Sequence, residues 1–137
     1  MADLFGVLGV FAAIVLLAEV DAVFADFLAY TPEAPVDVVC MWDTIEHLLD
    51  PRAFLEKARD VLATGGWVFL TTGDIGSRVA RLRGPRWRMI HPPSHVNYFS
   101  RPTITRLLDD TGFEVRSIRA VGTRRDLLNA LHLLGLY

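Results

Sequence analysis

Residues 36–72 constrain the possible fold more than any other part of the chain. Two apolar runs, VDVVCMW at 36–42 and WVFLTT at 67–72, lie on either side of the segment DPRAFLEKARDVLATGG at 50–66. Near-continuous apolar runs of this length are typical of strands buried on both faces of a parallel sheet. The segment between them has a helical pattern, so the sequence predicts a β-α-β unit whose strands are parallel neighbours.

The predicted helix at 50–66 carries signals at both ends. Asp50 is expected to cap its N-terminus, and Pro51 takes the first helical position. Gly65 and Gly66 are expected to end it. Apolar residues recur between these ends at helical spacing: Phe54, Leu55, Ala58, Val61 and Leu62.

The remaining segments extend the alternation of strands and helices. VDAVFADFL at 20–28 predicts a short strand that ends near Asp26, and residues 73–87 predict a loop with one helical turn. SRPTITRLLDDTG at 100–112 has the cap, early proline, apolar stripe and final glycine of a helix. FEVRSIRAV at 113–121 alternates as a half-exposed strand does, and DLLNALHLLGLY at 126–137 predicts an apolar terminal helix.

The 137-residue chain is long enough for a single domain, and its N-terminal segment is unusual. Residues 4–18, LFGVLGVFAAIVLLA, carry no charge but are shorter than the roughly 20 residues of a membrane span. No basic region of a signal peptide precedes them. A buried helix is expected here, with a membrane-associated segment as the alternative. The single cysteine, Cys40, fits a reducing compartment, so we expect a cytoplasmic protein without a membrane span.

The charge balance argues against a nucleic-acid partner. The formal net charge is −2, which provides no general attraction to a polyanion. The basic residues nevertheless cluster: five arginines lie within eleven residues, at Arg78, Arg81, Arg83, Arg86 and Arg88. This cluster indicates either a solvated face or a site for an anionic substrate.

Two longer stretches carry a family resemblance. DVVCMWDTIEHLLDPRAFLEKARDVLATGGWVFLTT and HPPSHVNYFSRPTITRLLDDTGFEV resemble parts of class I S-adenosylmethionine-dependent methyltransferases that act on small molecules. Together with the segment before them they cover roughly residues 23–121. The resemblance implies an α/β fold, with a Rossmann-like, mostly parallel sheet and flanking helices. It also implies that S-adenosylmethionine is the cofactor and that a methyl group passes to a small-molecule acceptor, with a hydroxyl preferred.

The resemblance also implies cofactor-binding residues. Asp26 and Phe27 match the acidic and apolar pair that holds the adenine at the end of the third strand. Met41, Trp42 and Asp43 match the residues beside the methionine part of the cofactor, where an aromatic or thioether face suits a sulfonium. From the residues alone, the alternatives are that Asp26 is a turn residue and that Trp42 belongs to the core.

Two motifs are expected at the substrate side of the site. Glu46 and His47 match the E-H turn of the family, where they either shape the substrate entrance or cap the following helix. His91 and His95, in HPPSHVNYF, are candidate general bases, because imidazole exchanges a proton near neutral pH. The alternatives for His91 and His95 are a stiff turn in which they hydrogen-bond backbone, or a metal site. No third ligand is evident in the sequence, so no metal is expected.

The chain departs from the family at its start. The glycine-rich cofactor loop has no clear counterpart, since Gly6 and Gly9 lack the preceding strand and acidic residue. We therefore expect a fold that is incomplete relative to the full methyltransferase domain, with an atypical apolar segment at 1–22 and the C-terminal two-thirds of the domain at 23–137. Its exposed sheet edge would be covered by the apolar N-terminal helix, by a second copy or by another chain. The rival hypothesis is a catalytically inactive, methyltransferase-like interaction module.

Overall fold

The computed structural model of the chain describes residues 25–120. Within this range the elements follow in the order β1 (Val36–Trp42), a 3₁₀ turn (Ile45–His47), α1 (Pro51–Val61), β2 (Leu62–Thr71), α2 (Arg78–Arg83), a second 3₁₀ turn (Gly84–Arg86) and α3 (Arg101–Asp110). The helices expected at 4–18 and 126–137, and the first part of the strand expected at 20–28, lie outside the described residues. No helix within 25–120 is long and apolar enough to cross a membrane.

The β-α-β unit is confirmed. Strands β1 and β2 are hydrogen-bonded in parallel, with Val38 opposite Trp67 and Trp42 opposite Thr71. Helix α1 connects them and begins where the sequence predicts, because the carboxylate of Asp50 accepts a hydrogen bond of 3.0 Å from the backbone N–H of Ala53. The chain thus has the expected α/β class, with a parallel sheet and flanking helices.

The predicted end of α1 is wrong by several residues. The helix stops at Val61, and Leu62 already pairs with Val36 at the start of the sheet. The two glycines instead shape the irregular entry into β2: Gly65 has a φ of +81°, and a Cβ on Gly66 would lie 3.0 Å from the carbonyl oxygen of Asp37. Sheet pairing therefore ends the helix early, and the glycines allow the backbone to turn and approach β1 closely.

The two faces of the sheet differ in burial. Val39, Met41 and their partners in β2 pack into the core with Leu55 of α1, and all three named side chains are fully buried. The opposite face carries Trp42, which is 56% exposed, and Trp67, which is 50% exposed. These two tryptophans share one face of the sheet: Trp42 ends β1, whereas Trp67 lies in the middle of β2, opposite Val38.

Helix α3 follows its prediction closely. Ser100 caps it, and the side chains of Ser100 and Thr103 each bond to the other's backbone N–H. Its last turn is closed at Thr111, and Gly112 follows with a φ of +87°. The helical turn expected within 73–87 is also confirmed, as α2.

Two predicted strands are not found among the described residues. Residues 113–120 keep part of their alternating burial, but no described strand pairs with them, so they form no ladder. Residues 25–30 form a turn, in which the carbonyl oxygen of Asp26 accepts from the N–H groups of Ala29 and Tyr30. The prediction of strand structure was therefore wrong for residues 27–28, because a local turn satisfies the backbone there.

Candidate functional site

The candidate site lies at the carboxyl ends of β1 and β2, where open parallel sheets bind their ligands. Asp43 follows β1 directly and adopts a φ of +46°. Its backbone N–H donates to the carbonyl oxygen and the hydroxyl oxygen of Thr71, at 3.2 and 2.9 Å. The Thr71 hydroxyl donates in turn to the Asp43 carboxylate at 2.8 Å. These bonds tie the Asp43 side chain to the end of β2.

The loop that follows α2 is docked onto the 3₁₀ turn at Ile45–His47. The backbone N–H groups of Val96 and Asn97 both donate to the carbonyl oxygen of Glu46, each at 3.0 Å. The side-chain amide of Asn97 donates to the carbonyl oxygen of Leu48. The E-H turn and the HPPSHVNYF loop, separated along the chain, therefore form one structural unit.

His47 and His95 are oriented by backbone carbonyl groups. Nδ1 of His47 lies 2.7 Å from the carbonyl oxygen of Ser94, and Nδ1 of His95 lies 2.7 Å from that of Met89. A carbonyl oxygen can only accept, so Nδ1 carries the proton in each neutral ring, and Nε2 carries the lone pair. The two rings meet edge to face, with centroids 4.5 Å apart.

His91 also has a hydrogen-bond partner at Nδ1, but it is more exposed to solvent than His47 and His95. Its Nδ1 is 2.8 Å from the hydroxyl oxygen of Ser94, which also lies within hydrogen-bond distance of the His91 carbonyl oxygen. Either Nδ1 or the carbonyl oxygen of His91 can accept the one hydroxyl proton of Ser94, so this contact fixes the place of the ring and not its tautomer. His91 is exposed, and its ring centroid lies 6.0 Å from that of His95.

The environment of Glu46, which the sequence analysis placed at the substrate side, is unusual for a carboxylate. The residue is only 2% exposed, and neither carboxylate oxygen has a hydrogen-bond partner among the described residues. A donor atom from each of Glu46, His47 and His95 lies within 4.8 Å of the others. The structure thus groups His95 with Glu46 and His47, and not with His91 as the sequence alternative had it.

These side chains open into a cleft of about 470 Å³. Its lining comprises Asp43, Glu46, His47, Arg88, Met89, His91, Ser94 and His95. Arg88 is the only member of the arginine cluster in this lining. Met89 and Ser94 were missed by the sequence analysis because their roles are played by backbone carbonyl groups, which leave no trace in residue type.

The five predicted cofactor residues lie in different environments. Met41 is fully buried in the core, and the Phe27 ring packs on Phe54 with centroids 5.7 Å apart. Asp26 is exposed, with one carboxylate oxygen accepting from the N–H of Leu28. Trp42 lies exposed at the end of β1, and Asp43 is the one of the five that lines the cleft. Their contact with a cofactor stays a prediction.

Comparisons with known proteins all point to methyltransferases. The profile described as a methyltransferase domain matches residues 11–118. The chain is 30% identical to a ubiquinone biosynthesis O-methyltransferase of Leptothrix cholodnii, over 82% of this chain and 52% of the relative. It is 32% identical to a probable S-adenosylmethionine-dependent methyltransferase of Mycolicibacterium smegmatis, over 66% of this chain and 33% of that protein.

The chain therefore spans about half the length of the first relative and a third of the second. The profile match covers well over half of the chain, and it agrees with the family that the two sequence motifs predict. The β-α-β unit and the cleft at the carboxyl ends of its strands fit the same assignment. The chain belongs to the family of methyltransferase domains.

Proposed function

We propose that this chain binds S-adenosylmethionine and takes part in methyl transfer to a small-molecule acceptor, with an oxygen atom as the preferred nucleophile. The observation that carries the proposal is the cleft at the strand ends, which collects three imidazole rings around one opening. The names of both relatives support methyl transfer, and one of them names this cofactor.

The described residues fit one side of a cofactor site. When bound, S-adenosylmethionine supplies an electrophilic methyl group on a sulfonium centre. Trp42 offers an exposed aromatic face at the end of β1, which suits a positive sulfonium, and Asp43 places a carboxylate beside it. Asp26 would accept from the adenine amine. Phe27 would contribute its backbone N–H, because its ring is occupied in the core.

The histidines provide the acid-base chemistry in this proposal. Nε2 of His91 or of His95 would accept the proton from an acceptor hydroxyl as that oxygen attacks the methyl group. A hydrogen bond from Nδ1 to the Met89 carbonyl oxygen holds the His95 ring in the tautomer that this role requires, and the Ser94 hydroxyl positions the His91 ring. Such positioned bases typically contribute about a hundredfold or more to a rate.

The lining of the cleft indicates the kind of acceptor. A volume of about 470 Å³ is within the range of sites that bind small molecules. Glu46 and His47 would contact the acceptor or shape the entrance. The lining carries charges of both signs, from Arg88, Asp43 and Glu46, which suits a polar acceptor.

A partner for the sheet also belongs to this proposal. Within residues 25–120, β1 and β2 pair only with each other, and Trp67 and Phe69 form an exposed stacked pair with ring centroids 6.2 Å apart. A second copy or another chain would cover this region. Light scattering at several protein concentrations tests this by measuring the molar mass. The mass of a monomer at every concentration would contradict a homodimer.

The test of the function is a methyl-transfer assay with the purified chain. S-adenosylmethionine carrying a deuterated methyl group is incubated with a panel of phenols, catechols and hydroxylated carboxylic acids, and labelled products are sought by mass spectrometry. The proposal expects product with at least one acceptor. The H91Q and H95Q variants should lower the rate by about tenfold or more while S-adenosylhomocysteine still binds. A folded chain that binds the cofactor product but methylates nothing in the panel would argue for the inactive module.

A further inference from the structure

We propose that Glu46, His47 and His95 form a binding site for a divalent transition-metal ion, with Zn²⁺ as the best-fitting candidate. The three residues come from two segments, the turn after β1 and the loop after α2. The docking of that loop brings a donor atom from each to within 4.8 Å of the others. This proposal concerns metal binding alone, which requires neither cofactor nor turnover.

The strongest argument is the state of the Glu46 carboxylate. It is buried, and both oxygens lack a hydrogen-bond partner among the described residues. Leaving a carboxylate buried without hydrogen bonds is costly, and native proteins seldom do so without an ion or water in reach. A cation between Glu46 and the two imidazoles would supply the missing partner.

The histidines are oriented as metal ligands are. Metal-bound histidines commonly donate their second ring N–H to a backbone carbonyl, which fixes the ring and leaves the other nitrogen for the metal. His47 and His95 both make this contact at 2.7 Å, through Nδ1, with the carbonyl oxygens of Ser94 and Met89. Each neutral ring therefore presents the Nε2 lone pair.

The set of donors favours a borderline transition metal over a hard cation. One carboxylate and two imidazoles resemble the ligands of three-residue zinc sites, whereas Mg²⁺ and Ca²⁺ prefer oxygen ligands. Zinc bonds of about 2.0–2.2 Å require the donor atoms to lie closer together than the 4.8 Å limit, so zinc would draw the three side chains inward.

Three protein ligands leave a coordination position for an outside group. The cleft is the side from which such a group would enter, since Glu46, His47 and His95 all belong to its lining. If the proposed methyl transfer holds, this position would take the acceptor oxygen and favour its deprotonated form, and the proton would pass to His91 instead of His95. That assignment rests on the proposed function, but the metal site itself does not.

The test is a zinc titration of the whole 137-residue chain, first treated with a chelator, in competition with a chromophoric chelator. The triad variants are E46Q, H47Q and H95Q. The matched controls are H91Q, from the same loop and cleft, and H132Q, which removes the one histidine outside the described residues. We expect a single zinc ion per chain in the wild type and in both controls. Each triad variant should bind about tenfold more weakly or worse.

Circular dichroism shows whether each variant has folded. A long-range proton–nitrogen NMR spectrum of the wild type provides a readout that needs no variant: zinc should shift the Nε2 resonances of two histidines, His47 and His95. The proposal is overturned if the folded wild type binds no zinc, if the triad variants bind it as well as the controls do, or if the shifted resonances belong to His91 or His132. Methyl transfer has no part in these readouts, so their failure leaves the proposed function to its own test.

Discussion

The imidazole ring of His47 meets that of His95 edge to face, with centroids 4.5 Å apart and ring planes at 86°. The two residues come from different motifs, and the contact exists because one loop supplies the carbonyl groups that hold both rings. The geometry of the site therefore depends on how firmly this loop is docked on the turn at Ile45–His47.

Asn97 tests that docking. Its side-chain amide donates to the carbonyl oxygen of Leu48, and truncation would leave this partly buried acceptor unpaired. We expect N97A to lower the free energy of unfolding by about 1–2 kcal/mol, measured by urea denaturation. V96A is the control, because its side chain is exposed and its backbone N–H still donates to Glu46. If V96A lowered the free energy of unfolding as much as N97A does, the hydrogen bond from the Asn97 side chain to Leu48 would have no specific role.

Thr71 tests how Asp43 is held at the rim of the cleft. T71V keeps the shape of the side chain but removes the hydroxyl that bonds to the carboxylate and the N–H of Asp43. Because the site is exposed, the loss of stability should stay near 1 kcal/mol, whereas S-adenosylhomocysteine should bind about three- to tenfold more weakly. T72V is the control. If T71V and T72V bound S-adenosylhomocysteine with equal affinity, Asp43 would not be part of the cofactor site.

Phe27 tests whether its ring serves the core or the cofactor. The ring packs on Phe54, so F27L should lower the free energy of unfolding by about 1 kcal/mol through lost packing, with F54L as its counterpart. If Phe27 acts only through its backbone N–H, neither variant should change S-adenosylhomocysteine affinity by more than about twofold. A much larger loss in F27L alone would show that its ring contacts the adenine.

Asp50 tests the helix that positions the β-α-β unit. Its carboxylate accepts from the N–H of Ala53 at the start of α1, so D50A should lower the free energy of unfolding by about 1 kcal/mol. D60A, at an exposed position near the end of the same helix, should cost less than about 0.5 kcal/mol. Thermal unfolding followed by circular dichroism distinguishes the two, and equal midpoints would contradict the capping role.

The sequence predicts those parts of the fold that depend on local signals. The caps at Asp50 and Ser100 and the apolar run of β1 are local, and all three are found. The end of α1 is not local, because it is decided by the pairing of Leu62 with Val36 across the sheet. The strand predicted at residues 113–120 is not found for a related reason. An alternating pattern becomes a strand only where a partner strand is available, and none of the described strands pairs with it.

The candidate site is predicted in part for similar reasons. Residue types and motifs identify Glu46, His47, His91 and His95 one by one. Their grouping depends on the hydrogen bonds from the loop to the Glu46 carbonyl oxygen, and backbone contacts of this kind cannot be inferred from side-chain identity. The sequence therefore suggested two motifs with separate roles, whereas the structure shows a single cluster.

The central claim is that the carboxyl ends of β1 and β2 form part of a cofactor site, and a calorimetric titration of the chain with S-adenosylhomocysteine tests it most directly. Trp42 and Trp67 provide a matched pair, since they share one face of the sheet and are similarly exposed, but only Trp42 lies at the carboxyl end of its strand. We expect micromolar binding in the wild type and in W67A, and binding about tenfold weaker in W42A. No binding by the folded chain, or equal affinity in the two variants, would contradict the claim.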